Sequence, residues 1–271
     1  MSYTSVMVPV DLGPNASDRV SAAAGLADRF GGFLIGIAAQ QPFVPTYPEG
    51  LVADAAIIDA EQERVDQELA EVERVFRAAA GARNQVLWRS ALGGAPNFAR
   101  EQARAADIMV LSRQGRGDPT DWRFRVAPAD VVLELGRPVV VLPPGAKSIE
   151  GKRVVIAWKD TREARRAVWD ALPLLKQADE VFVTSVTNDA RKAGAVDVSE
   201  YLTRHGVTSK VIGCEGRDAS VAEELLKVVR QEGADLIVTG AYGHTRMREW
   251  MFGGVTRDLL DDAPVPCLMA H

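Results

Sequence analysis
The stretch TGAYGHTRMREWMFGGVTRDLL, residues 239–260, concentrates the groups in this chain best able to hold an anion. Gly240 and Gly243 would let the backbone turn tightly and approach a ligand with no Cβ in the way. Gly253 and Gly254 would do the same at the start of the next helix, where unpaired N–H groups and the helix dipole favour a phosphate. Val255 adds another backbone N–H, and Thr256 a hydroxyl that can cap the helix or bind phosphate. His244 directly follows Gly243 and would stand either against the ligand or on the surface. The stretch lies between the apolar run DLIV and the helical VTRDLL, at the carboxyl edge of a strand, where open α/β sheets bind ligands. The same glycines would equally serve turns and helix-on-sheet packing, and spacing alone leaves both readings open.

Other chemistries find less support. His205, His244 and His271 are scattered, and no Cys–His cluster has zinc spacing, so no metal site is expected. Ser112 and Ser185 lack the context of a nucleophile elbow. No residue is placed as a general base, and no catalytic residue is assigned. Cys214 and Cys267 have no paired spacing, which suits a reducing compartment. The net charge of −5 disfavours a broad grip on nucleic acid or anionic lipid. The opening MSYTSVMVPVD has no secretory leader, and no run approaches the roughly 18 apolar residues of a membrane span. A cytoplasmic protein is therefore expected, with no nucleic-acid or membrane partner.

The elements that must position the glycine-rich stretch follow from periodicity. Strands are expected at residues 5–11, 33–39, 84–91, 107–112 and 137–143, where short apolar runs occur. Helices are expected at 17–32, 54–80 and 95–106, with a fourth ending near Gly136. The long second helix carries the stripe Ile58, Val65, Leu69, Val72 and Phe76, most simply a face packed on a sheet. PPGAKSIEGKR, residues 143–153, reads as a linker. Beyond it the pattern restarts, with strands at 153–158, 180–186, 208–214, 235–240 and 265–270. Helices at 162–175, 196–205 and 220–233, and one after Gly254, fall between them. This alternation predicts an α/β fold of two domains, 1–145 and 152–271, each a five-stranded parallel sheet with helices on both faces.

The halves are also alike in sequence. Residues 106–142 align without a gap on 234–270. Asp107 meets Asp235, Gly115 meets Gly243, Trp122 meets Trp250, Phe124 meets Phe252 and Pro138 meets Pro266. Shared α/β patterning explains matched aliphatics but not a coincident Trp and Phe, so a duplication is inferred.

The series Gly240, Gly243, Gly253 resembles the nucleotide-binding signature of the universal stress protein family, Gly-x2-Gly-x9-Gly-(Ser/Thr), with Gly254 at the position of the hydroxyl residue. VIAWKDTREARRAV resembles the family's opening strand and first helix, and GGVTRDLLDDAPVPCLM its closing helix and strand. The resemblance covers nearly the whole chain as two tandem copies. It implies Rossmann-like (HUP-type) domains that bind ATP or a related adenine nucleotide, or have lost that ability, and that act in stress survival. Family members usually dimerise through their last strands, so 137–143 is expected to pair with 265–270 within one chain, and a homodimer is a further possible partner. The family's acid after the first strand matches Asp11 in the first copy, whereas the second copy has Lys159 there and Asp160 one place later.

These comparisons assign the nucleotide, ATP or AMP with Mg²⁺ as an optional companion, to the second copy. Gly240, Gly243, His244, Gly253, Gly254, Val255 and Thr256 would lie near it, with Ala157, Lys159 and Val186 around the adenosine. At most slow ATP hydrolysis is expected, and the role would be sensing or regulation. The first copy has Ser112, Arg125, Val126 and Pro128 at the corresponding places and is expected to be degenerate and structural. Its Arg113, Arg116 and Arg123 would form a solvated loop or bind an anion differently. The alternative for the whole chain is a nucleotide-free scaffold that binds a protein or an apolar ligand.

Overall fold
The computed structural model describes residues 2–43, 55–113, 123–186, 193–214, 220–242 and 254–271. The first half runs β1 (Ser5–Pro9), α1 (Ala16–Phe30), β2 (Phe33–Gln40), α2 (Ala55–Ala80), β3 (Val86–Leu92), α3 (Ala95–Gln102), β4 (Ile108–Ser112), α4 (Pro128–Val131) and β5 (Val139–Leu142). The second runs β6 (Arg153–Ala157), α5 (Arg162–Leu175), β7 (Glu180–Val186), α6 (Ala195–Arg204), β8 (Lys210–Cys214), α7 (Val221–Gln231), β9 (Leu236–Gly240), α8 (Val255–Asp262) and β10 (Cys267–Ala270).

The ten strands form one sheet in the order β3-β2-β1-β4-β5-β10-β9-β6-β7-β8. Pairing is parallel within each half, as strands joined by helical crossovers must be. The one antiparallel pair is the joint, where Cys267, Leu268 and Met269 face Val141, Val140 and Val139. All of these joint residues are buried, so two sheet edges that would template aggregation are closed against each other. Helices cover both faces. α1, α2, α5 and α6 share one apolar layer, and α3, α4, α7 and α8 the other.

The repeat is visible in backbone detail. Asp107 accepts hydrogen bonds from the Thr4 and Ser5 N–H groups at 2.7 and 3.0 Å. Its aligned residue Asp235 accepts from Lys152 and Arg153 at 3.0 and 3.1 Å. Each carboxylate ties the start of the first strand of its half to the fourth. The halves are also bonded to each other. Tyr3 Oη donates to the Asp170 carbonyl at 2.5 Å, and Arg113 Nη2 to the Ala263 carbonyl at 2.9 Å.

Two expectations need correction. The fourth helix ends at Val131 rather than near Gly136. From there the chain turns, burying Val132 and Leu135 on the sheet before entering β5 through Gly136 at φ 61°. Ile58 does not belong to the packed stripe of α2, being 37% exposed, whereas Val65, Leu69, Val72 and Phe76 are buried. The 26-residue α2 is about 39 Å long, far longer than the 15-residue α1 it lies beside, so its first turns overhang. Trp122, Trp250, Gly115 and Arg116 lie outside the described residues.

The joint predicts its own weak point. Leu268 is fully buried beside Val140, and Leu268→Ala should cost about 2–5 kcal/mol through lost burial and a residual cavity. Chemical denaturation of the intact chain measures it.

Candidate functional site
In the second half, β9 and β7 flank β6 on opposite sides, so the crevice at the carboxyl ends of β6 and β9 is the topological switch point. The structure brings most of the expected residues to this rim. Ala157 ends β6, Val186 ends β7, Gly240 ends β9, and Val255 and Thr256 open α8. Ala157, Val186 and Val255 belong to one apolar layer with Tyr242 and Cys214. Lys159 is exposed at the edge of the rim, and neighbouring Asp160 pairs with Arg165 at 2.5 Å. Gly243, His244 and Gly253 lie outside the described residues.

The start of α8 has the chemistry expected of an anion cradle. Gly254 is its N-cap, extended at φ −79° and ψ 147°, with no side-chain cap. The Arg257 and Asp258 N–H groups are taken by the Gly254 carbonyl at 2.9 and 3.1 Å. Among the described residues no acceptor serves the Val255 or Thr256 N–H. These are the donors a helix N-terminus leaves open, at the positive end of its dipole.

Thr256 serves a different role from that of a free ligand hydroxyl. It is buried, and its Oγ1 accepts from the Tyr242 N–H at 3.1 Å. This bond ties the chain leaving β9 to the chain entering α8, so the ends of the glycine-rich connection are held together. Tyr242 itself sits at φ 54°, the left-handed region, which costs a residue with a Cβ about 1–2 kcal/mol. His271 adds a second tie, its Nδ1 lying 3.0 Å from the Ala241 carbonyl.

Gly240 is needed for a contact that spacing did not reveal. A Cβ there would stand 2.5 Å from the Ala164 nitrogen and 2.9 Å from the Glu163 Cβ. The close approach its missing side chain permits is that of the first turn of α5. That turn is anchored by Thr161, whose hydroxyl accepts from the Ala164 N–H at 3.3 Å. It carries Glu163, a carboxylate buried to 4% exposure and bonded to Arg162. Burial alone would raise the Glu163 carboxyl, but hydrogen bonds from Arg162, its own backbone and Thr161 outweigh it and hold the group below the ordinary carboxyl range.

The corresponding rim of the first half is built differently. Asp11 is held by Arg19, whose Nη2 donates to Oδ2 at 2.7 Å, while Asp11 Oδ1 accepts from the Gly13 N–H at 2.9 Å. Arg19 is 6% exposed and also donates to the Pro9 carbonyl at 2.9 Å and to Ser112 Oγ at 2.6 Å. Pro128 stands at the first position of the four-residue α4 and contributes no N–H. Of the arginines singled out in the sequence, Arg113 binds the Ala263 carbonyl and Arg123 pairs with Glu68 at 2.8 Å.

Arg19 was the residue missed. A signal existed: it lies three residues after Ala16 and four before Ala23, on the buried face of α1.

Residues 151–271 match the model of the universal stress protein family. Among curated proteins, the universal stress protein MJ0577 of Methanocaldococcus jannaschii is 34% identical over 47 residues, a match spanning 17% of this chain and 29% of that relative. Among solved structures, a universal stress protein from Archaeoglobus fulgidus is similar over 98% of this chain and 95% of its own, with 17% identity and a TM-score of 0.69. A universal stress protein from Pseudomonas aeruginosa is similar over 99% of this chain and 93% of its own, with 14% identity and a TM-score of 0.55. At these identities the structural likeness is one of fold.

The contact at Gly240 is testable without any ligand. Gly240→Ala should destabilise the protein by about 1–3 kcal/mol, because the clash is with backbone that cannot rotate away. Gly25→Ala, on α1 with nothing within 4 Å, should be neutral or stabilising in the same thermal melts.

Proposed function
Since residues 151–271 match the universal stress protein family, we propose that this C-terminal domain, 152–271, holds an adenine nucleotide, ATP or AMP, in a sensing or regulatory role. The observation that carries the reading is the pair of amides, Val255 and Thr256, that no described residue caps at a helix start beside the switch point. They suit a phosphate, which needs donors and positive potential rather than any particular side chain. Ala157 and Val186 offer apolar surface beside them for the base, and Lys159 brings positive charge to the rim. Mg²⁺ would enter with ATP through its phosphate oxygens. The first domain, 1–145, is assigned a structural role, because Arg19 occupies its rim and Pro128 removes a cradle donor.

The proline that opens α4 in the first half suggests the test. Val255→Pro removes one of the two amides at the first helical position, where proline is tolerated, and Gly254 already has the extended backbone proline requires before it. Adenosine-phosphate affinity should fall about 10- to 100-fold with the melting temperature unchanged. Equilibrium dialysis with labelled ATP measures the affinity, and unchanged binding would overturn the reading.

One observation favours the scaffold reading, in which an apolar ligand is bound instead. Between α5 and α6 lies a groove of about 470 Å³ lined by Trp158, Val168, Trp169, Val198 and Tyr201, with Asp160, Arg165 and Asp197 at its rim. Trp169 is 38% exposed on this groove and meets His205 edge-on with ring centres 5.9 Å apart. The groove lies on the sheet face opposite to α8. Under this reading Nile red emission rises on mixing with the wild-type protein, Trp169→Glu reduces that rise severalfold, and equilibrium dialysis detects no bound ATP. A flat wild-type titration excludes it.

A further inference from the structure
The rim of the first domain encloses a cavity of about 60 Å³ between the ends of β1 and β4. That is far below the roughly 300 Å³ at which small-molecule pockets begin, so a nucleoside does not fit. At roughly 10–15 Å³ for each water-sized sphere, it has room for about four to six such centres, which suits the five heavy atoms of a tetrahedral oxyanion.

Its lining is strongly basic. Arg19, Arg113 and Arg125 face it with a single carboxylate, Asp11. Asp11 is already neutralised by Arg19, which leaves the other two guanidinium charges without an acidic partner in the lining. Arg19 is locked by its bonds to Asp11, Pro9 and Ser112, yet a guanidinium has five N–H donors and these bonds use three. Arg113 donates Nη2 to the Ala263 carbonyl, while its buried Nε has no acceptor among the described residues. A buried charged donor with no acceptor is costly. Guanidinium groups also match the oxygens of a tetrahedral anion in geometry as well as charge.

We propose that the cavity of the first domain, walled by Arg19, Arg113, Arg125 and Ser112, is a binding site for a small inorganic oxyanion of the phosphate or sulfate class. The site lies in the other domain from the proposed nucleotide cradle and does not depend on it. Arg113 spans from this cavity to the end of α8 in the second domain, so an occupant would also bear on the contact between the halves.

Isothermal titration with inorganic phosphate, and separately with sulfate, against chloride at matched ionic strength tests the proposal. It is run on the full chain carrying Val255→Pro, so that the second domain's cradle is weakened. One phosphate or sulfate per chain should bind with millimolar affinity or tighter, and Arg125→Ala, an exposed position that leaves the fold intact, should weaken it about tenfold or more. Arg113→Gln should do the same, and the nucleotide affinity of otherwise wild-type protein should be unmoved by Arg125→Ala. A flat titration, equal heats from chloride, or affinity unchanged by Arg125→Ala would each overturn the proposal.

Discussion
The antiparallel pairing of β5 with β10 determines what the rest of the molecule can do. Each half is a parallel sheet, and the joint reverses the strand direction between them. The carboxyl ends of the first half therefore lie on the edge of the sheet opposite to those of the second. Helix faces are preserved across the joint, since α1 and α5 share one layer and α4 and α8 the other. The relation is that of a two-fold axis through the sheet, and its consequence is separation. The two rims cannot converge on one ligand, and each site must be assembled from its own half. What passes between the halves passes through side chains such as Arg113 and Tyr3.

The sheet and most helices were legible because their signals are local. Runs such as DIMVLS and DLIVTG are buried on both faces and read as continuous apolar strands, and Val65, Leu69, Val72 and Phe76 recur at helical spacing. Asp107 and Asp235 could be matched by alignment, although their common task of holding a first strand's amides appears only in three dimensions. What was not legible depended on contacts between distant segments. Gly240 looked like a residue that bares the backbone to a ligand, but its missing Cβ admits the first turn of α5, some 76 residues earlier. Thr256 looked like a phosphate ligand, but its hydroxyl also closes the loop onto Tyr242. Ile58 fitted the period of its helix, but periodicity cannot tell where the partner helix stops.

The two copies diverge through one small difference in chain length. β1 and α1 are joined by residues 10–15, β6 and α5 by residues 158–161. The shorter connection draws the start of α5 down onto the end of β9, and only glycine at 240 tolerates that approach. The longer connection leaves room between α1 and β4. There the residue at the end of the strand is Ser112, and the room is taken by the Arg19 side chain that binds its hydroxyl. Loop length and the residue at the strand end thus form one structural choice in each half.

Neither copy presents a free acid two residues beyond its first strand. In the second copy the position is Lys159. In the first the acid remains as Asp11, but Arg19 and the Gly13 amide occupy its oxygens. A partly buried ion pair of this kind adds little net stability, because desolvating the charges offsets their attraction, so the pair is better understood by what it does to the rim than as glue. It converts an acceptor site into a donor site. Recognition of ribose and base relies on specific side-chain acceptors and is lost by a single substitution or capture. Recognition of phosphate by the open amides of a helix start relies on backbone alone, and it fails only where a residue such as Pro128 removes the N–H or a side chain fills the approach. On the proposed reading, that asymmetry would let the start of α8 hold phosphate although Lys159 stands where an acid is expected, and would leave the rim of the first half with its arginines.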